Sequence, residues 1–158
     1  MGETYSNTIS YLSFYLNGEL YAFKVSDVIE VIELQKVTLI PKTPPHILGV
    51  INFRGEILPL IDVRKICGLK TDKNFDENQS VIIVLETGKE TPENLLTVSC
   101  MADAVSDVID VKMADIMSIP DFDTKIKAEY TEGIFEHNGD YITILNSSAI
   151  FSINNGKK

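Results

Sequence analysis

The chain repeats itself. Val25-Ser26-Asp27-Val28-Ile29-Glu30-Val31 recurs 80 residues on as Val105-Ser106-Asp107-Val108-Ile109-Asp110-Val111, with Glu to Asp the single change. A second correspondence runs at 84 residues, where Gly49 and Gly55 are matched by Gly133 and Gly139. Each second glycine is followed by an acid, an apolar strand and a side chain able to cap a helix: Glu56 to Asp62, then Asp140 to Asn146. Ile40-Pro41 has its counterpart in Ile119-Pro120. Blocks that occur twice in the same order mark a duplication. Chance likeness between valine-rich strands could account for the glycine spacing, but it accounts poorly for six identities in seven residues. The chain therefore reads as two similar units joined near residues 68–79. Each is small for a core of its own, so the two are expected to share one.

Both units read as β. Thr8–Leu16 and Leu20–Val25 flank Asn17-Gly18, a pair suited to a two-residue hairpin turn. Ser26 reads as the cap of a single helical turn, and Val28–Leu34 as the next strand. Pro41, Pro44 and Pro45 mark an extended loop. Ile47–Phe53 and Glu56–Ile61 form a second hairpin around Arg54-Gly55, after which Asp62 caps a short helix, Val63–Cys67, stopped by Gly68. Lys70–Gln79 is a polar connection. Ser80–Glu86, Leu95–Met101 and Val105–Val111 are further strands, with a long polar loop at Thr87–Asn94. Gly133–Glu136 and Tyr141–Leu145 form a last hairpin over Asn138-Gly139, and Asn146 caps a helix ending near Ile153. Many short strands between turn signals point to a barrel or sandwich.

Composition narrows the function. The 158 residues carry 14 Lys and Arg against 23 Asp and Glu, a net charge of −9. That balance argues against binding nucleic acid or anionic lipid, both of which need clustered cations. The acid is uneven: residues 1–79 hold 8 basic and 10 acidic side chains, residues 80–158 hold 6 and 13. No apolar run is long enough to span a bilayer, and the start of the chain has no secretory pattern. Cys67 and Cys100 are too few for a disulfide framework and read as buried thiols, so a cytoplasmic home is expected.

Catalysis finds little support. His46 and His137 are the only histidines, each near a turn and neither beside a nucleophile motif, and both read as exposed loop residues. His46, Cys67, Cys100 and His137 lack metal-ligand spacing. Asp121 and Asp123 read as a solvated loop, and no glycine-rich phosphate loop is present. Glu30 and Glu33 read by default as solvent-facing charge. No metal, cofactor or enzymatic activity is expected.

The stretch Gly49-Val-Ile-Asn-Phe-Arg-Gly55, followed by Ile57-Leu-Pro-Leu-Ile-Asp-Val-Arg64, resembles the signature of the bacterial chemotaxis coupling family CheW. Tyr21 to Glu30, Pro41 and Pro44, Val105–Val108 and Tyr130–Gly133 extend the resemblance to about residues 8–153. Phe53 stands where that family more commonly has leucine, and the Thr87–Asn94 loop is long. The resemblance implies an all-β fold: two small SH3-like five-stranded β-barrels around a shared hydrophobic core, with short helices at strand ends and strands that could exchange between the units. Residues 1–7 and 154–158 are then flexible tails.

The resemblance also implies a non-catalytic adaptor. It would join the cytoplasmic tips of methyl-accepting chemoreceptors to the regulatory domain of the histidine kinase CheA, as a monomer alone and in rings with the kinase. It would sit in the cytoplasm, recruited to membrane receptor arrays without inserting into the bilayer. Carried over by position, Arg54 is the first candidate for a receptor contact, with Asn52, Gly49 and Gly55 setting the turn that presents it. The alternative for Arg54 is an ordinary solvated hairpin arginine. Val28, Glu30, Val105 and Val108 match partner-binding positions, with core packing as the alternative. Asp62 is expected to cap its helix rather than touch a partner. A regulator of the same fold, holding a small molecule between the barrels or coupling a non-flagellar pathway, is the competing function. No additional α/β domain of the kind found in receiver-fused relatives is expected.

Overall fold

A computed structural model describes residues 7–71, 74–76, 78–119 and 125–152. Pro120, Asp121, Asp123 and nearly all of both expected tails lie outside the described residues. Ten strands and two short α-helices follow in order: β1 (Thr8–Leu16), β2 (Glu19–Lys24), β3 (Val28–Glu33), β4 (Ile47–Phe53), β5 (Glu56–Ile61), α1 (Val63–Cys67), β6 (Val81–Thr87), β7 (Leu96–Ala102), β8 (Ala104–Lys112), β9 (Thr131–His137), β10 (Asp140–Leu145) and α2 (Ser147–Phe151).

The strands make two five-stranded sheets. Sheet A runs β8-β1-β2-β10-β9 and sheet B runs β3-β6-β7-β5-β4. Written by position within each half, both orders are third, first, second, fifth, fourth. The first and second strands of each sheet come from one half, and the other three come from the other half. The chain crosses from sheet A to sheet B through a 3-10 turn at Val25–Asp27, and back between β7 and β8. Ser26 lies inside that turn and does not cap it. Lys24 is the cap residue, and it makes no capping side-chain bond.

The duplication is written into the backbone. Asp62 and Asn146 cap α1 and α2 with φ of −94° and −90° and ψ of 97° and 98°. The side chain of Asp62 accepts from the Arg64 N–H, that of Asn146 from the Ala149 N–H. In each half the chain beyond the third strand returns to the fourth. Thr38 exchanges two hydrogen bonds with Val50, at 2.9 and 2.8 Å, and Met117 does the same with Ile134, at 2.8 and 2.9 Å. These bridges lay the chain that leaves the third strand beside the fourth, which lies at the opposite edge of each sheet.

The bridges also account for two of the glycines. A Cβ on Gly49 would lie 2.6 Å from the Thr38 carbonyl oxygen and 2.6 Å from Val37 Cγ1. One on Gly133 would lie 2.8 Å from Ile116 Cγ2 and 3.0 Å from the Met117 carbonyl oxygen. Gly49 therefore sits beneath the returning chain, inside β4, and does not form part of the Arg54 turn.

Alternation along β1 and β6 builds three cores. Ile82 and Val84 fill barrel B with Ile51, Phe53, Leu58, Leu60 and Met101. Tyr11 fills barrel A with Ile109, Val111, Phe135, Ile142 and Ile144. The opposite faces of the same strands, Leu12, Phe14, Leu16, Ile83 and Leu85, meet Phe23 and Phe151 in a cluster shared by both sheets. Phe14 stacks on Phe23 at 5.0 Å, and Phe23 meets Phe151 at 6.1 Å. Removing such a ring costs about 3–5 kcal/mol, so the shared cluster is where the two barrels are held as one body. Cys67 and Cys100 are free and buried there, as expected.

Candidate functional site

The β4–β5 hairpin closes on two residues, with Phe53 opposite Glu56. Both loop residues are left-handed, Arg54 at φ 54° and Gly55 at φ 86°. Such a turn matches the twist of its strands. The Asn52 side chain accepts a hydrogen bond from the Gly55 N–H at 3.1 Å, which fixes the turn from within. Nothing lies within 4 Å of a Cβ built on Gly55, so only its φ favours glycine.

This turn lifts Arg54 clear of the sheet, with 69% of its side chain exposed. Two groups steer it. The guanidinium carbon lies 4.8 Å from the centroid of the Phe53 ring, which is anchored in barrel B. Its Nη2 donates to Oε1 of Glu30, on β3. Glu30 is thus a partner of Arg54 and not simply solvent-facing charge. Glu33, at the end of the same strand, is exposed.

The structure unites part of the expected set. Arg54, Asn52, Gly55 and Glu30 share one corner of sheet B, and Val28 lies on the same strand as Glu30. Gly49 supports the barrel behind them. Val105 and Val108 lie on β8, in sheet A. Val28 is half-buried against the shared cluster, whereas its repeat mate Val108 is 61% exposed. The repeat thus presents the same residue differently in its two copies.

Two features escaped the reading of the residues. Ile57, opposite Asn52 on the outer face of the hairpin, is 64% exposed. Strand alternation carried that signal, because inward Leu58 and Leu60 turn Ile57 outward. The second is a buried ion pair. Arg64 forks onto Asp62, Nε to Oδ1 and Nη2 to Oδ2, each at 3.0 Å, and lies 4.0 Å from the Phe75 ring centroid. Asp62 is therefore both cap and counter-ion, and only one residue separates the two partners in sequence.

Nothing in this corner assembles a catalytic or metal site. Among the described residues no three His, Cys, Asp or Glu side chains are grouped to hold a metal ion. His46 and His137 are half-buried, which corrects their reading as exposed. His46 lies just before β4 in sheet B and His137 ends β9 in sheet A. Burial pushes the Cys67 thiol up to about 12 and raises Cys100 further, so neither is a ready nucleophile. A groove of about 600 Å³ lined by Tyr15, Tyr21, Ile126 and Tyr141 contains none of the site residues.

A family model described as the CheW-like domain matches residues 10–154. The chain belongs to the CheW-like family. Chemotaxis protein CheW of Bacillus subtilis is 31% identical to this CheW-like chain over 137 residues, covering 87% of the chain and 83% of the relative. That of Klebsiella aerogenes is 35% identical over 133 residues, covering 84% and 74%. The crystal structure of the scaffolding protein TtCheW from Thermoanaerobacter tengcongensis superposes with a TM-score of 0.80 at 32% identity, covering 94% of this chain and 95% of that one. The fold, two five-stranded sheets with short helices at strand ends, is thus that of a CheW-like domain. No helix among the described residues is long and apolar enough to cross a membrane.

Proposed function

We propose that the chain is a non-catalytic adaptor of chemotaxis signalling, coupling the cytoplasmic tips of chemoreceptors to the regulatory domain of the histidine kinase CheA. Membership of the CheW-like family supports the adaptor class, and the presentation of Arg54 supports the receptor contact. A planar guanidinium held out on a rigid turn suits carboxylates or helix-end carbonyls on a receptor hairpin. Asn52 and Gly55 hold that turn, and Gly49 holds the strand behind it. Val28, Glu30, Val105 and Val108 complete the partner-binding set, with Val108 the more accessible of the two repeat mates.

Residues 8–153 act as one domain whose halves join at about 68–79. The protein is a cytoplasmic monomer, recruited to receptor arrays and built into rings with the kinase. Two related but unequal ends suit head-to-tail contacts that close.

Co-sedimentation with receptor-bearing membranes, with and without CheA, tests the reading. Wild type is expected to pellet with receptors, and folded Arg54→Ala to remain in the supernatant. Wild type that stays soluble with both partners present would transfer the function to a regulator with another partner.

A further inference from the structure

The loop between β6 and β7 is built to reach across the molecule. It folds tightly on itself: a Cβ on Gly88, whose φ is +73°, would fall 1.9 Å from the Asn94 carbonyl oxygen. From this loop the Lys89 ammonium donates to the Ser26 carbonyl and lies 3.7 Å from the Asp27 carboxylate. Asp27 also accepts from Ser147 Oγ of α2 at 2.9 Å, and Ser148 Oγ donates to Glu90 at 3.3 Å. Ser26 and Asp27 form the turn through which the chain passes from sheet A to sheet B.

The other crossing is held in the same way. At the β1–β2 turn the Asn17 N–H donates to the Asp103 carboxylate at 2.8 Å, where the chain passes from sheet B to sheet A. Asn17 also donates to the Lys70 carbonyl, just past α1, at 2.9 Å. The first hairpin of each half thus clasps the crossing of the other half and the region of its own terminal helix. The two clasps differ in chemistry. One uses a backbone N–H beside the buried Arg64–Asp62 fork, and the other uses a lysine whose side chain is 42% exposed.

We propose that Lys89 is a positioning residue for β3, the strand that begins at Val28, and that its clasp on Ser26 and Asp27 is the salt-sensitive one of the pair. Exposed charge pairs weaken as salt rises, whereas a hydrogen bond from a neutral backbone N–H to a carboxylate does so far less. The consequence for partner binding rests on the adaptor reading, while the placement of β3 does not.

Hydrogen exchange of the whole chain tests this without any partner. Lys89→Met keeps the aliphatic stem and removes the charge, and Lys89→Arg restores the charge. Exchange in peptides covering residues 24–31 is expected to rise about three- to tenfold in Lys89→Met and in wild type at 0.5 M salt, with the same salt adding little to Lys89→Met. Lys89→Arg is expected to return it to the wild-type rate, with residues 104–112 unchanged throughout. Unchanged exchange at 24–31 in Lys89→Met overturns the proposal. An equal rise at 104–112 overturns it as well, because the effect would then be general loosening.

Discussion

Arg54 and Glu30 lie 24 residues apart, at opposite edges of one sheet, and meet as an ion pair. β3 and β4 are separated by three strands in the order of sheet B, so the contact exists only because the sheet curls. The equivalent residues of the other half make no such pair. Asp110 accepts from Ser10 of β1, and the Asn138 side chain meets His137 at 3.3 Å. The two barrels share a backbone plan but end in different chemistry.

Both partners of the Arg54–Glu30 pair are substantially exposed, so it contributes modestly to stability. A double-mutant cycle on Arg54→Ala and Glu30→Ala should give a coupling of about 0.2–1 kcal/mol. Urea denaturation of the four proteins measures it. A loss of receptor binding by Arg54→Ala would then stand apart from any loss of fold.

Arg64, ten residues on, should behave in the opposite way. Its side chain is 5% exposed and that of Asp62 is 1% exposed. Removing one member of a buried pair leaves an uncompensated charge, at about 3–5 kcal/mol. Arg64→Ala should therefore lower the denaturation midpoint far more than Arg54→Ala.

Gly49 and Gly55 separate by the same logic. Gly49→Ala drives a methyl into the Thr38 carbonyl and should destabilise strongly, by about 2 kcal/mol or more. Gly55→Ala meets only open space and a left-handed φ, a cost of about 1 kcal/mol. Gly55→Asn should cost less still, since asparagine tolerates that region. Thermal melts of the three variants give the ranking.

Val28 and Val108 should part likewise. Val108→Asp is expected to fold with an unchanged melting temperature while weakening partner binding. Val28→Asp places a carboxylate against the shared cluster and should destabilise the protein. Melts combined with calorimetric titration against the kinase regulatory domain distinguish the two.

The buried thiols predict a pH dependence. Cys67 and Cys100 hold their protons to higher pH in the fold than in the unfolded chain, whose thiols ionise near 8.5. The unfolded chain therefore loses protons first. Their stabilising contribution is full below that value and falls by about 1.4 kcal/mol per pH unit per thiol above it. Urea midpoints should drop between about pH 9 and 11, and the drop should be shallower in Cys67→Ala. The native protein should also resist a thiol reagent at neutral pH.

Local chemistry made much of this legible from the residues. The bounds of β1, β4, β5 and α1 match their reading because Asn-Gly, Arg-Gly, Asp62 and Gly68 punctuate them. β9 runs longer at both ends than Gly133–Glu136, since Thr131 and His137 join it through pairing with β10. The duplication was visible, but the exposure of its copies was not. Ile29 is 41% exposed while Ile109 is 7% exposed, because register shifts in β3 and β8 fall at different points. The Arg54–Glu30 pair was illegible for a related reason. Charges at opposite sheet edges meet only through curvature, which no short stretch of sequence encodes.

The exchange of strands between halves also bears on how the protein is made. Thr8 pairs with Lys112, and β2 finds its parallel neighbour only in β10. While the chain leaves the ribosome, β1 and β2 wait for most of its length to be synthesised before either outer flank is covered. Sheet A cannot close until residue 145 has emerged, so the first hairpin spends translation with its apolar faces open. This chain should depend on holding factors during synthesis more than its modest size suggests.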